Sequence, residues 1–155
     1  MDARFKFRAW HEPTKKLFHV HSFTNELVYE NTLDGVGTCP TNPANMKDCV
    51  LEQCTSMVDL RGDPIYEGDI VRVWSPIDRK HFFAEIKFGE HGWMNFGFYP
   101  KWYGKYAEKT KYDGGFREDF CFWLGQGLQI VGNIHENPEL LEAKNETKTN
   151  LAHGV

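Results

Sequence analysis

No stretch of this sequence is apolar and long enough to serve as a membrane-spanning helix or as the hydrophobic region of an export signal. No membrane partner is therefore expected, and the expected location is the cytoplasm. A cationic excess is missing too. Lys and Arg number 18 against 22 Asp and Glu, a formal net charge of -4. That excludes a protein that coats nucleic acid through its overall field and leaves only a local basic face for such a role. Close cysteine pairs are scarce: Cys39, Cys49, Cys54 and Cys121 include one gap of four residues but no second close pair to complete a zinc knuckle. No rule of spacing ties a histidine to any of these thiols as a catalytic base, so they read as reduced, incidental thiols. Gly125-Gln126-Gly127 departs from the Gly-x-Gly-x-x-Gly fingerprint and no helical pattern follows, which leaves tight β turning and no expected cofactor.

What the chain does have is strand chemistry. Its 155 residues can bury a core without covalent staples, and an aromatic share of 15% favours packed β structure over disorder. Arg4 to Trp10 alternates, placing Phe5, Phe7 and Ala9 on an expected inner face and Arg4, Lys6, Arg8 and Trp10 on the other. His11-Glu12-Pro13-Thr14 turns the chain, and Lys16 to Phe23 resumes it as the second arm of a hairpin. His19 and His21 share a strand face, yet a metal site needs further ligands, so two partly exposed strand histidines and no metal are expected. Leu27-Val28-Tyr29 reads as a further strand, Asp48 to Met57 as a strand in preference to a helical turn, and Leu33 to Asn45 as loop.

The stretch Leu60 to Trp74 organises the middle of the chain. Arg61-Gly62-Asp63-Pro64 is a turn, Ile65-Tyr66 a short extended piece, Glu67-Gly68 a corner needing a positive φ or a bulge, and Asp69 to Trp74 a strand with Val71 and Val73 on one face. Ser75-Pro76-Ile77-Asp78 is a turn, His81 to Phe88 a strand, Gly89-Glu90-His91-Gly92 a tight connection and Trp93 to Tyr99 a strand, giving a three-strand meander. Lys101, Lys105, Lys109 and Lys111 are then interleaved with Trp102, Tyr103, Tyr106 and Tyr112. Lysines reach phosphates and aromatic faces stack bases, so this is the best nucleic-acid-like patch, diluted by Glu108, Asp113, Glu118 and Asp119. Cys121 to Trp123 and Leu128 to Ile134 read as late strands. Asn137-Pro138-Glu139-Leu140-Leu141-Glu142 carries an N-cap, a first-turn proline and early acid, the start signal of one short helix.

Three segments together resemble the YopX family of small phage and prophage proteins: Phe7-Arg8-Ala9-Trp10; Asp59-Leu60-Arg61-Gly62 with Ile65 to Val71; and Ile130 to Leu141. The resemblance spans about residues 4 to 142, and its motif residues include Gly62, Ile65, Tyr66, Glu67, Gly68, Asp69, Gly132, Asn133, Asn137 and Pro138. The chain departs from the usual pattern at His11, where Asp is common, and at Ser56, where Gly is common. Its lysine and aromatic excursion after Phe98 is longer than usual. The resemblance implies a mainly β fold, an SH3-like small β-barrel preceded by an N-terminal β segment. It implies no settled activity. The expected division is an N-terminal segment over 1–57, barrel and short helix over 58–142, and a frayed tail over 143–155.

No catalytic constellation stands out, which favours a non-enzymatic binding or assembly module whose partner is another protein or a second copy. The alternative is a nucleic-acid-binding β-barrel acting through 101–112, helped by the basic strand face of Arg4, Lys6 and Arg8. An enzyme using Glu67 or Asp69 with a histidine as acid and base ranks third, because acids at a tight corner commonly accept backbone N–H bonds.

Overall fold

Side-chain alternation carries this chain into strands along most of its length. The computed structural model describes residues 6–30, 43–75, 79–91, 95–103 and 127–142. Six strands form the first sheet: β1 (Phe7–His11), β2 (Lys16–Phe23), β3 (Leu27–Glu30), β4 (Ala44–Asn45), β5 (Cys49–Val58) and β6 (Pro64–Tyr66), in the order β4-β3-β2-β1-β5-β6. The second sheet holds β7 (Asp69–Ser75), β8 (Lys80–His91), β9 (Asn95–Trp102) and β10 (Gln129–Asn133), in the order β10-β7-β8-β9. The pairings are antiparallel. The fold is thus mainly β, and neither sheet closes on itself among the described residues, where the sequence suggests an SH3-like barrel.

The chain passes from one sheet to the other at Glu67-Gly68. Gly68 has φ +78° and Gly62 φ +87°, values that a Cβ disfavours, as the two turns in this stretch require. Asp59 holds the first turn. Its Oδ1 accepts from Arg61 N (2.7 Å) and Asp63 N (3.0 Å), and its Oδ2 accepts from Ile130 N (3.1 Å), which pins the turn to β10. Burial pushes the Asp59 carboxyl up, but these three N–H donors outweigh it and hold it below the usual carboxylate range. Val71 and Val73 face inward as expected, into a core with Ile65, Phe82, Ala84, Ile86, Trp102 and Leu128.

Several expectations need correction. β8 runs through His91 and β9 starts at Asn95, so Gly89 to His91 are paired strand opposite Asn95 to Gly97. Residues 89–91 of the expected tight turn are therefore strand, and 92–94 lie outside the described residues. β9 also reaches further than Tyr99, carrying Lys101 and Trp102 into the sheet. The expected C-terminal helix is a single 3-10 turn over Pro138–Leu140, and Asn137 makes no side-chain capping bond. The segments 31–42, 104–126 and 143–155, with Cys39, Cys121 and the strand expected at Cys121 to Trp123, lie outside the described residues.

Candidate functional site

The strand β1 was expected to turn its basic face outward. Ala9 is buried as expected, but so are Arg8 and Trp10 on the other face, while Phe7 is only half-buried, edge-on to the exposed ring of Phe23. The reason lies in the sheet order, since β1 sits in the interior of the first sheet and faces the corner that enters the second. A buried guanidinium needs carboxylates, and two are supplied. Arg8 Nε donates to Glu52 Oε2 at 2.6 Å, Nη1 lies 2.6 Å from Asp69 Oδ1, and Nη2 donates to Glu67 O at 3.1 Å. The guanidinium also sits 4.9 Å from the centroid of the Tyr66 ring. The rigid fork of arginine suits this arrangement, where one planar group spans β1, β5 and the corner.

His135 completes the cluster. Its Nε2 is 3.0 Å from Glu52 Oε1, and its ring stacks on Trp10 with centroids 4.9 Å apart and planes 9° from parallel. Asn133 aims it: the Asn133 Oδ1 accepts from His135 N (3.0 Å) and Glu136 N (2.9 Å). Trp10 Nε1 in turn donates to Glu12 Oε2 at 2.6 Å. Gly68 has no room for a side chain, because a Cβ there would overlap Glu52 Oε1. Asp69 Oδ2 accepts from Tyr66 N at 2.8 Å. Burial pushes the Asp69 carboxyl up to about 6 against the pull of Arg8, whereas Asp69 and Glu52 together outweigh burial at Arg8 and raise its pKa. Burial likewise raises Glu67.

These contacts are structural ties between strands far apart in sequence. Arg8, Glu52, Asp69 and His135 are each engaged by another of the four. No group of three or more His, Cys, Asp or Glu able to hold a metal occurs among the described residues. The residues singled out by the three sequence segments converge here: Arg8 and Trp10 from the first, Tyr66 to Asp69 from the second, and Asn133 with His135 from the third. Asn137 lies against Gly132, where a Cβ would overlap its Oδ1, and Pro138 opens the 3-10 turn. Glu52 was missed. The available signal was an acid between Val50 and Cys54 on one face of a strand, a position that demands a buried partner.

The lysine and aromatic patch divides. Trp102 is 5% exposed and belongs to the core, contrary to a contact role. Lys101 is exposed, with its Nζ 5.3 Å from the Tyr103 ring centroid, and Tyr103 Oη donates to Glu85 Oε2 at 2.6 Å. Burial and then Glu85 push the Tyr103 phenol above its ordinary range. Lys105, Tyr106, Lys109, Lys111 and Tyr112 lie outside the described residues. His19 and His21 are both exposed. Large exposed aromatics cluster instead on the β8–β9 hairpin, where Phe88 packs edge-to-face on Phe96 (5.0 Å) and tilted on Phe98 (4.9 Å).

A two-sheet antiparallel protein whose sheets are tied by one buried arginine cluster is the class these features define. The chain belongs to the family described as YopX protein, which matches residues 6–142. Among solved structures it is similar to protein EF1440 from Enterococcus faecalis, at 23% identity and a TM-score of 0.56, covering 88% of this chain and 96% of that one. That likeness is one of fold. Comparison with curated proteins gives no match.

Proposed function

We propose that the protein is a non-enzymatic binding or assembly module of phage or prophage origin, acting in the bacterial cytosol on a protein partner or a second copy of itself. The observation that carries this reading is the pair Phe88 and Phe96, 42% and 72% exposed on the inward face of the β8–β9 hairpin, where the core stripe of Ile86 and Phe98 continues outward. Adjacent exposed aromatics of this kind mark contact surfaces more often than scattered single residues do. The conspicuous ionisable cluster supports the same reading, because its members are engaged with one another and hold strands together. An SH3-like barrel over 58–142 remains part of the proposal, supported by the β7–β9 meander.

The test is capture of the tagged protein from prophage-induced cells, with and without nuclease, beside size-exclusion analysis of the pure chain. A nuclease-resistant partner or self-association that is lost in Phe96→Ser supports the reading. Turnover of a small molecule that one substitution abolishes without unfolding the protein overturns it.

A further inference from the structure

The meander has a second face. Residues alternate along β7, β8 and β9, so the positions between the core residues point away from it. Contacts across the ladder confirm the arrangement. Trp74 meets His81 at 5.1 Å, Arg72 donates through Nε and Nη2 to Gln129 Oε1 at 2.9 and 2.6 Å, and Glu85 is reached by both Tyr103 and Lys87. Phe83 stands opposite Arg72, and Tyr99 opposite Lys87.

The result is a face on which aromatic rings and cations are interspersed, with Ile70 and Glu85 buried between them. Trp74 is 47% exposed beside the exposed His81, and Lys101 and Lys87 present ammonium groups further along. Among the described residues, three cations, Arg72, Lys87 and Lys101, stand against one carboxylate, Glu85, which is 6% exposed and already bound by Tyr103 and Lys87. This local sign is opposite to the chain's net charge of -4.

We propose that the outer face of the β7–β9 meander binds single-stranded nucleic acid. The inference goes beyond the protein-partner reading: it gives the face opposite Phe88 and Phe96 a partner of its own, and it stands or falls apart from them. Rings offer stacking platforms to unpaired bases, and lysines beside them reach the phosphates of the same strand. A duplex keeps its base faces stacked and so cannot use the platforms. The contacts available are to ring faces and phosphates, so binding is tolerant of sequence.

The experiment is fluorescence anisotropy with fluorescein-labelled oligodeoxythymidylate and oligouridylate, titrated over a series of salt concentrations. Binding to either probe is expected, weakening steadily as salt rises. Trp74→Ala is expected to weaken it about fivefold or more at every salt concentration without changing the salt slope, since stacking is not ionic. Lys87→Glu with Lys101→Glu is expected to weaken it by about tenfold and to flatten the slope. Preference for one probe separates DNA from RNA. Thermal melts of each variant confirm the fold. Absence of binding up to roughly 100 µM protein overturns the proposal, as does binding that neither variant alters. Binding lost only in Phe96→Ser overturns it too, yet leaves the binding-module reading standing.

Discussion

The imidazole of His135 lies 4.9 Å from the indole of Trp10 and within 9° of parallel, so the turn after β10 is stacked on the first sheet. Trp10 is 3% exposed. Trp10→Ala is expected to cost about 3–5 kcal/mol, read from urea denaturation followed by far-UV circular dichroism. His135→Ala should cost less, because it removes a smaller ring and Glu52 keeps Arg8. Equal losses in the two variants would contradict this ordering.

Asp69 sets a pH dependence whose sign is unusual for a carboxylate. Its folded pKa is raised, to about 6 from 3.8, so the folded state binds the proton more tightly than the unfolded state. The stability it contributes is full below about pH 3.8 and is lost as pH rises through about 6. The shift corresponds to on the order of 3 kcal/mol. Asp69→Asn keeps an oxygen for Tyr66 N and has no proton to lose. Its stability relative to the wild type is therefore expected to rise between pH 4 and 7, measured by denaturant titration at several pH values. A constant difference across that range would refute the assignment.

Ser56 occupies φ +67°, in the irregular part of β5 where the register to β6 shifts. An L side chain costs roughly 1 kcal/mol in that region, and glycine does not. Ser56→Gly is accordingly expected to stabilise the protein by about 0.5–1 kcal/mol despite the looser unfolded chain. Ser56→Ala, which keeps the Cβ, should give no such gain.

Gly132 and Asn137 form a fitted pair. A Cβ on Gly132 would overlap Asn137 Oδ1, so Gly132→Ala is expected to destabilise by about 1–3 kcal/mol. Asn137→Gly removes the obstructing side chain. The double variant should therefore lose less than the sum of the singles, with a coupling of at least about 0.5 kcal/mol in a thermal-melt cycle. Strict additivity would show that the close approach carries no energy.

The strands, the first hairpin and the bends at Gly62 and Gly68 were legible because they follow from period-two alternation and from backbone freedom, which are local properties. The cluster was not. Arg8 in isolation looks like a solvated strand cation, and only the interior place of β1 in the sheet reverses that. Asn137 followed by Pro138 has the chemistry of a helix start, but Gly132 draws its side chain into packing, and one 3-10 turn remains. Ser56 was visible only as a departure from the family pattern, and its left-handed backbone gives the physical reason that glycine suits the position. The aromatic face of the meander was hidden by reading Lys101, Trp102 and Tyr103 as loop. Once they are strand and its immediate extension, Trp102 goes inward while Lys101 and Tyr103 go outward.

The partners in the ionic cluster stand far apart along the chain, Glu52 lying 44 residues after Arg8 and His135 83 residues after Glu52. Contacts of such long sequence separation close late, after the loops between them have lost their freedom. Arg8 and Glu52 face each other in the β1–β5 ladder, but Asp69 and His135 come from the second sheet's side, and a misdocked pair of sheets would have to bury this charge incompletely matched. The cluster therefore acts as a check on completed assembly: wrong arrangements are penalised by stranded charge, and the right one alone gives each group its counterpart.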